Sequence, residues 1–156
     1  MNYISDYGGI YLDWDVLVVR SFAPLLKYDV TLGRETSKSL ANGIILAKRA
    51  APFLRIWLET YHSFQENEWG AHSCIMPHKL HHLLPHLVHV EETSLLKPSW
   101  KETDLLFKAH YPWKEKNYAI HVWKRHGQVP ENSAQIKQLN STLGEIMSHI
   151  LYASAR

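Results

Sequence analysis

Tyr7-Gly8-Gly9-Ile10-Tyr11-Leu12-Asp13-Trp14-Asp15 decides the reading of this 156-residue chain. A glycine pair, a short apolar run and two carboxylates one residue apart follow without a break. Ile10 to Leu12 reads as a short buried strand and Val16 to Val19 as a second β-branched run, with the acidic tip between them. In extended backbone, side chains two residues apart share a face, which groups Asp13 with Asp15 and turns Trp14 away. Like charges about 6 Å apart repel by roughly 3 kcal/mol at an effective dielectric near 20. A hard divalent cation relieves that repulsion and also recruits a substrate's phosphates. The plainer alternative is a polar turn between two strands. The glycines before the pair and the valines after it favour the metal. Gly8 and Gly9 serve either as a helix cap with a tight turn or as a point of close ligand approach, and both can hold at once.

The flanking sequence supplies alternating elements. Residues 2–7 fit the last turn of a helix closed by Gly8. Tyr28 to Leu32 fits an edge strand, and Asn42-Gly43 a turn into the strand Ile44 to Ala47. Pro52 opens a helix running to about Gln65, with Phe53, Ile56, Trp57, Tyr61 and Phe64 at helical spacing. A shorter helix spans 73–84 and a strand Leu87 to Val90. Tyr118 to Trp123 alternates like a strand, with His121 and Trp123 opposite Ile120 and Val122. From about Ser133 to Tyr152, Ile136, Leu139, Leu143, Ile146, Met147 and Ile150 form one helical stripe. Short strands between helices predict an α/β domain with a mixed sheet.

Composition narrows the function. The chain is 46% apolar and carries 17 basic and 15 acidic residues, too balanced for nucleic acid or an anionic membrane as main partner. A single cysteine, Cys74, rules out an intrachain disulfide and a multi-cysteine zinc site. No run approaches the length of a membrane span.

Other candidate groups have two readings each. His121 is either a hydrogen-bonded histidine or the imidazole of an otherwise oxygen-rich metal site. His78, His81, His82, His86 and His89 invite a zinc proposal, but His78-Lys79-Leu80-His81-His82 lacks a metalloprotease's glutamate, so a solvated or structural face is favoured. Trp69, Trp100 and Trp113 either stack on sugars or fill the core, with core favoured for each. Lys124, Arg125 and His126 either meet phosphates or form a solvated turn before Gly127.

The stretch Tyr7 to Val16 resembles the DXD segment of the sugar-binding-region glycosyltransferases, the group that includes yeast-type α-1,6-mannosyltransferases and animal α-1,4-galactosyl- and N-acetylglucosaminyltransferases. Asn42-Gly43-Ile44-Ile45-Leu46-Ala47 is similar to that family's asparagine entering a strand, and Tyr118 to Trp123 to its late His-x-Trp. The resemblance implies an α/β, GT-A-like mixed sheet with flanking helices. It implies a nucleotide-sugar donor, Mn²⁺ or Mg²⁺, a glycan or glycolipid hydroxyl as acceptor, and retention of configuration. It assigns Asp13, Asp15 and His121 to the metal, with Asp13 and Asp15 acting on catalysis electrostatically through it. Gly8, Gly9, Tyr11, Trp14, Asn42 and Trp123 fall to the nucleotide sugar. The family carries an earlier Rossmann-like half that grips the base, so residues 1–156 are expected to be one partial catalytic domain, its carboxyl-terminal portion, ending in a helical tail at about 133–152. Golgi-lumen residence behind an N-terminal membrane anchor outside this sequence is implied in the same way. Two alternatives remain: a catalytically inactive remnant of such an enzyme, and a two-metal phosphohydrolase drawing on Asp29, Glu35 and Asp104.

Overall fold

The computed structural model describes residues 2–64, 67–68 and 70–153. Its centre is a four-stranded sheet in the order β1-β4-β3-β5, formed by Gly9–Leu12 (β1), Ser39–Ala47 (β4), Val30–Thr36 (β3) and His89–Glu91 (β5). β1 and β3 both run antiparallel to β4, whereas β5 is parallel to β3. The sheet is mixed, as expected. Val16–Val18 (β2) leaves it and pairs with Ala119–His121 (β6) in a separate antiparallel ribbon.

One sheet face packs Val30, Leu32, Leu40 and Ile45 against Phe53, Leu54 and Trp57 of Pro52–Glu59 (α2) and Leu80 of Met76–Leu83 (α3). The other face packs Ala41, Ile44 and Leu46 against Phe22, Leu25, Leu95, Leu96 and Ala119. Leu40 and Ile45 thus share a face, although strict alternation would oppose them. The exchange happens at Asn42–Gly43, where the β3–β4 register jumps from Leu32 opposite Ile45 to Gly33 opposite Ala41. A bulge of this kind adds residues to one strand and re-aims the side chains around it. A third cluster joins Ile120 of the ribbon to Leu106, Trp113 and Ile146.

Several expectations change here. Ile10 to Leu12 is a strand but not a buried one: β1 is the outer strand, and Ile10 and Tyr11 are exposed. The Tyr28–Leu32 segment does not form an edge strand, because β3 starts at Val30 and lies between β4 and β5 with its first four residues buried. Asn42-Gly43 is not a turn; it sits inside the nine-residue β4. The helix from Pro52 gives way after Glu59 to a 3-10 turn, Thr60–Ser63, and Gln65 is outside the described residues. The tail is two helices, Ser133–Gln138 (α6) and Thr142–Ala153 (α7). The short helices Asp104–Phe107 (α4) and Trp113–Lys116 (α5) precede the ribbon strand β6. Asn2–Tyr7 (α1) is closed as expected, with the Gly8 N–H on the Ile4 carbonyl at 3.0 Å and φ of +71°. Among the described residues, no helix is long and apolar enough to cross a membrane.

Candidate metal centre

The two aspartates occupy a tight turn between β1 and β2 rather than extended backbone. The Val16 N–H reaches the Asp13 carbonyl at 3.1 Å, and the Asp13 N–H bonds the Gly43 carbonyl in the β4 bulge at 2.8 Å. On the other side, the Val122 N–H donates to the Asp15 carbonyl at 2.8 Å and the Lys124 N–H to Asp15 Oδ2 at 3.1 Å. The turn is thereby clamped between the sheet and the ribbon. β2–β6 pairing sets Val16 opposite His121, which carries the imidazole to the carboxylates.

His121 is buried, and its Nε2 lies 3.5 Å from Asp13 Oδ2 and 3.6 Å from Asp15 Oδ1. Each of the three side chains offers a ligand atom, and these atoms all lie within 4.8 Å of one another. Such an Asp-Asp-His group can hold a metal ion, with hard oxygens and one nitrogen suiting a divalent first-row cation or magnesium. The fit depends on Gly43. A Cβ there would stand 3.0 Å from Asp13 Oδ2 and from His121 Nε2, so the bare backbone keeps the ligand atoms clear. His121 Nδ1 accepts the Trp123 N–H at 3.2 Å, which leaves the neutral ring's proton on Nε2, facing the carboxylates. A ring ligating through Nε2 carries its proton on Nδ1 instead and gives up that contact.

Surrounding groups orient these three. The Tyr11 hydroxyl donates to Asp13 Oδ1 at 2.7 Å, and this bond to the carboxylate, with burial adding to it, pushes the phenol pKa up. Trp123 adopts φ of +55°, ending the strand alternation, and its indole stacks on His121 with centroids 3.9 Å apart. The Trp123 indole N–H is fixed on the Pro98 carbonyl at 3.0 Å.

The group opens into a cavity of about 1080 Å³. Trp14, Asn42 and Trp123 line it; Gly8, Gly9 and Tyr11 do not. Gly8 packs instead against the Arg49 backbone, where a Cβ would meet the amide nitrogen at 2.6 Å. Lys101, Lys124, Arg125 and His126 lie on the wall, so the basic run faces the site, and the Lys124 ammonium sits 4.5 Å over the exposed Trp14 ring. Trp100 lines the cavity, Trp113 is buried in the core, and Trp69 lies outside the described residues. A smaller cleft of about 390 Å³ beside Tyr28 is lined by Asp29, His86 and His89 and by none of Asp13, Asp15 and His121.

The histidine cluster follows its structural reading. Arg34 makes a two-bond pair with Glu92 at 3.0 and 3.1 Å and donates to His78 Nδ1 at 2.9 Å; His78 and His82 Nε2 atoms are 3.3 Å apart. A guanidinium beside two imidazoles repels a second cation. The Asp13–Asp15–His121 group is the one cluster of three or more such ligands among the described residues.

The chain is 34% identical over 133 residues to a protein named glucan organizing enzyme 1 from Cryptococcus neoformans var. grubii. The match covers 75% of this chain and 36% of that protein, so the chain spans about a third of the relative's length. No protein-family model matches the chain, and no solved structure does.

Sequence reasoning reached Asp13, Asp15 and His121 through residue type and motif. It missed the parts played by Tyr11 and Gly43. The same-face spacing of Tyr11 and Asp13 was a usable signal for the first. The second depends on a bulge that no local pattern announces.

Proposed function

We propose that this chain is the cation-binding portion of a glycosyltransferase that moves a hexose or N-acetylhexosamine from a nucleotide-sugar donor to a glycan or glycolipid hydroxyl, with retention. The observation that carries the reading is the convergence of Asp13, Asp15 and His121 within 4.8 Å at the mouth of a cavity large enough for such a donor. The DXD resemblance and a relative whose name refers to glucan both support it. Extended from that name, the acceptor is a neutral hexose polymer; extended from the resemblance, the enzyme works in the Golgi lumen.

Bound Mn²⁺ or Mg²⁺ would supply positive charge against the departing diphosphate. Asp13 and Asp15 would hold that cation, with Tyr11 and the Lys124 amide fixing one carboxylate oxygen each. His121 would complete the donor set from the ribbon side. Lys124 and Arg125, on the same wall, add charge where diphosphate oxygens would lie. Trp14, Asn42 and Trp123 border the space left for nucleoside and sugar. The two-metal phosphohydrolase needs further carboxylates beside this group: Asp29 is paired with Lys48, Asp104 with Lys108, and Glu35 lies on the same cavity wall but outside the Asp13–Asp15–His121 group.

Calorimetric titration with Mn²⁺, then with uridine and guanosine diphosphate sugars, tests the proposal. Manganese binding that is lost in Asp13→Asn and Asp15→Asn, followed by metal-dependent donor binding, is the expected result. Absence of heat with every donor favours the inactive remnant, and undiminished manganese affinity in both variants ends the metal assignment.

A further inference from the structure

Glu35 is the third carboxylate on the cavity wall and stands apart from the cation group. It lies near the end of β3, one residue before the hairpin that leads into β4. Glu35 sits at a break in the β3–β4 register, between Arg34 opposite Leu40 and Thr36 opposite Ser39, and its neighbour Arg34 is held by Glu92 and His78. Arg34 therefore does not neutralise Glu35, and among the described residues no ion pair involves Glu35.

The carboxylate is nonetheless held in place. The Lys38 N–H reaches Thr36 Oγ1 at 3.2 Å, Thr36 Oγ1 and Ser39 Oγ are 2.7 Å apart, and the Ser39 hydroxyl donates to Glu35 Oε2 at 2.8 Å. Since Ser39 has one proton and gives it to Glu35, the Thr36 hydroxyl must donate to Ser39. The result is a one-directional relay that ends on one carboxylate oxygen and strengthens along its length. Oε1 takes no hydrogen bond among the described residues. Cys74 shares the wall; burial pushes its thiol pKa up, with the charges of Glu35 and Asp13 adding to that.

An oriented carboxylate with one free oxygen, in a cavity whose candidate cation ligands lie elsewhere on the wall, is built to accept hydrogen bonds from hydroxyls. We infer that Glu35 binds the acceptor saccharide, taking hydrogen bonds from its sugar hydroxyls and holding it opposite the donor. This rests on the glycosyltransferase reading and adds the acceptor side to it. Charge-assisted hydrogen bonds are roughly twice as strong as neutral ones, which makes the carboxylate, rather than an amide, matter.

The test titrates the protein with linear gluco-oligosaccharides in the presence of Mn²⁺ and a nucleoside diphosphate, following backbone amide resonances. Glu35→Gln, which keeps shape, is expected to weaken saccharide binding at least tenfold while leaving manganese affinity within twofold. Ser39→Ala is expected to give a smaller loss. Equal saccharide affinity in Glu35→Gln and the native chain overturns the assignment, as does failure of the native chain to bind any oligosaccharide. A parallel fall in manganese affinity also overturns it, placing Glu35 with the cation instead. If manganese fails to bind but saccharide binding still depends on Glu35, the metal reading fails and this inference survives.

Discussion

Gly43 matters through the side chain it lacks. Its backbone carbonyl holds the Asp13 amide, and a methyl group at this position would sit 2.9 Å from His121 Cδ2 and 3.0 Å from Asp13 Oδ2. Close-packed interiors pass such overlap on to the neighbours. Gly43→Ala is therefore expected to lower Mn²⁺ affinity by on the order of tenfold or more, read by calorimetry, with little loss of thermal stability. Tyr11 acts by donation. Tyr11→Phe removes the bond to Asp13 Oδ1 and is expected to weaken the metal on the order of tenfold while the fold persists. Unchanged affinity would show that Asp13 is positioned by its backbone alone. The aspartates themselves were legible because repulsion between adjacent carboxylates depends only on local spacing. Gly43 was not, since its importance comes from residues thirty and nearly eighty positions away.

At the scale of elements, the site is assembled by two irregularities. The β1–β2 turn folds the aspartates together, and the β4 bulge opens room beside them. Period-two reasoning found the strands on both sides of the first and the strand after the second, but could not see the irregularities, because a bulge leaves local composition unchanged. The tail shows the same limit from the helical side. Its apolar stripe is continuous in sequence, yet the chain breaks after Gln138, and Asn132 caps α6 by accepting the Gln135 N–H at 3.0 Å. The break is stabilised where Gly144 meets the preceding turn: a Cβ there would lie 2.0 Å from the Leu139 carbonyl oxygen. Gly144→Ala is thus expected to cost about 1–3 kcal/mol through forced displacement of α7 from α6, measured as a lower urea midpoint. A rise in stability, as alanine gives in an uninterrupted helix, would mean the two helices are not held at this angle.

Over the whole molecule, the lowered pKa values of two histidines and two glutamates create a weakness toward acid. His78 and His81 have lowered pKa values, first because burial disfavours their charged form and then because Arg34 and neighbouring imidazoles repel it. Glu92 is lowered by its hydrogen bonds to Arg34. Glu102 is lowered to about 2 by Lys97 and by the Ser99 hydroxyl and amide, all on Oε2. In each case the folded pKa lies below the unfolded one, so the unfolded chain takes up protons first and stability falls as pH falls. For the histidines the loss begins near pH 6.5; for Glu102 the contribution is complete above about pH 4.5 and is lost on approach to about pH 2. Glu102 ties together the segment that follows the core residues Leu95 and Leu96, so its release loosens one wall of the cavity as well. With its side chain 40% exposed, solvent screening limits the effect to about 1 kcal/mol. Glu102→Gln is accordingly expected to lower the urea midpoint at pH 7 and to match the native chain near pH 2. A gap between the two that persists unchanged at pH 2 would mean that Glu102 acts through shape rather than charge.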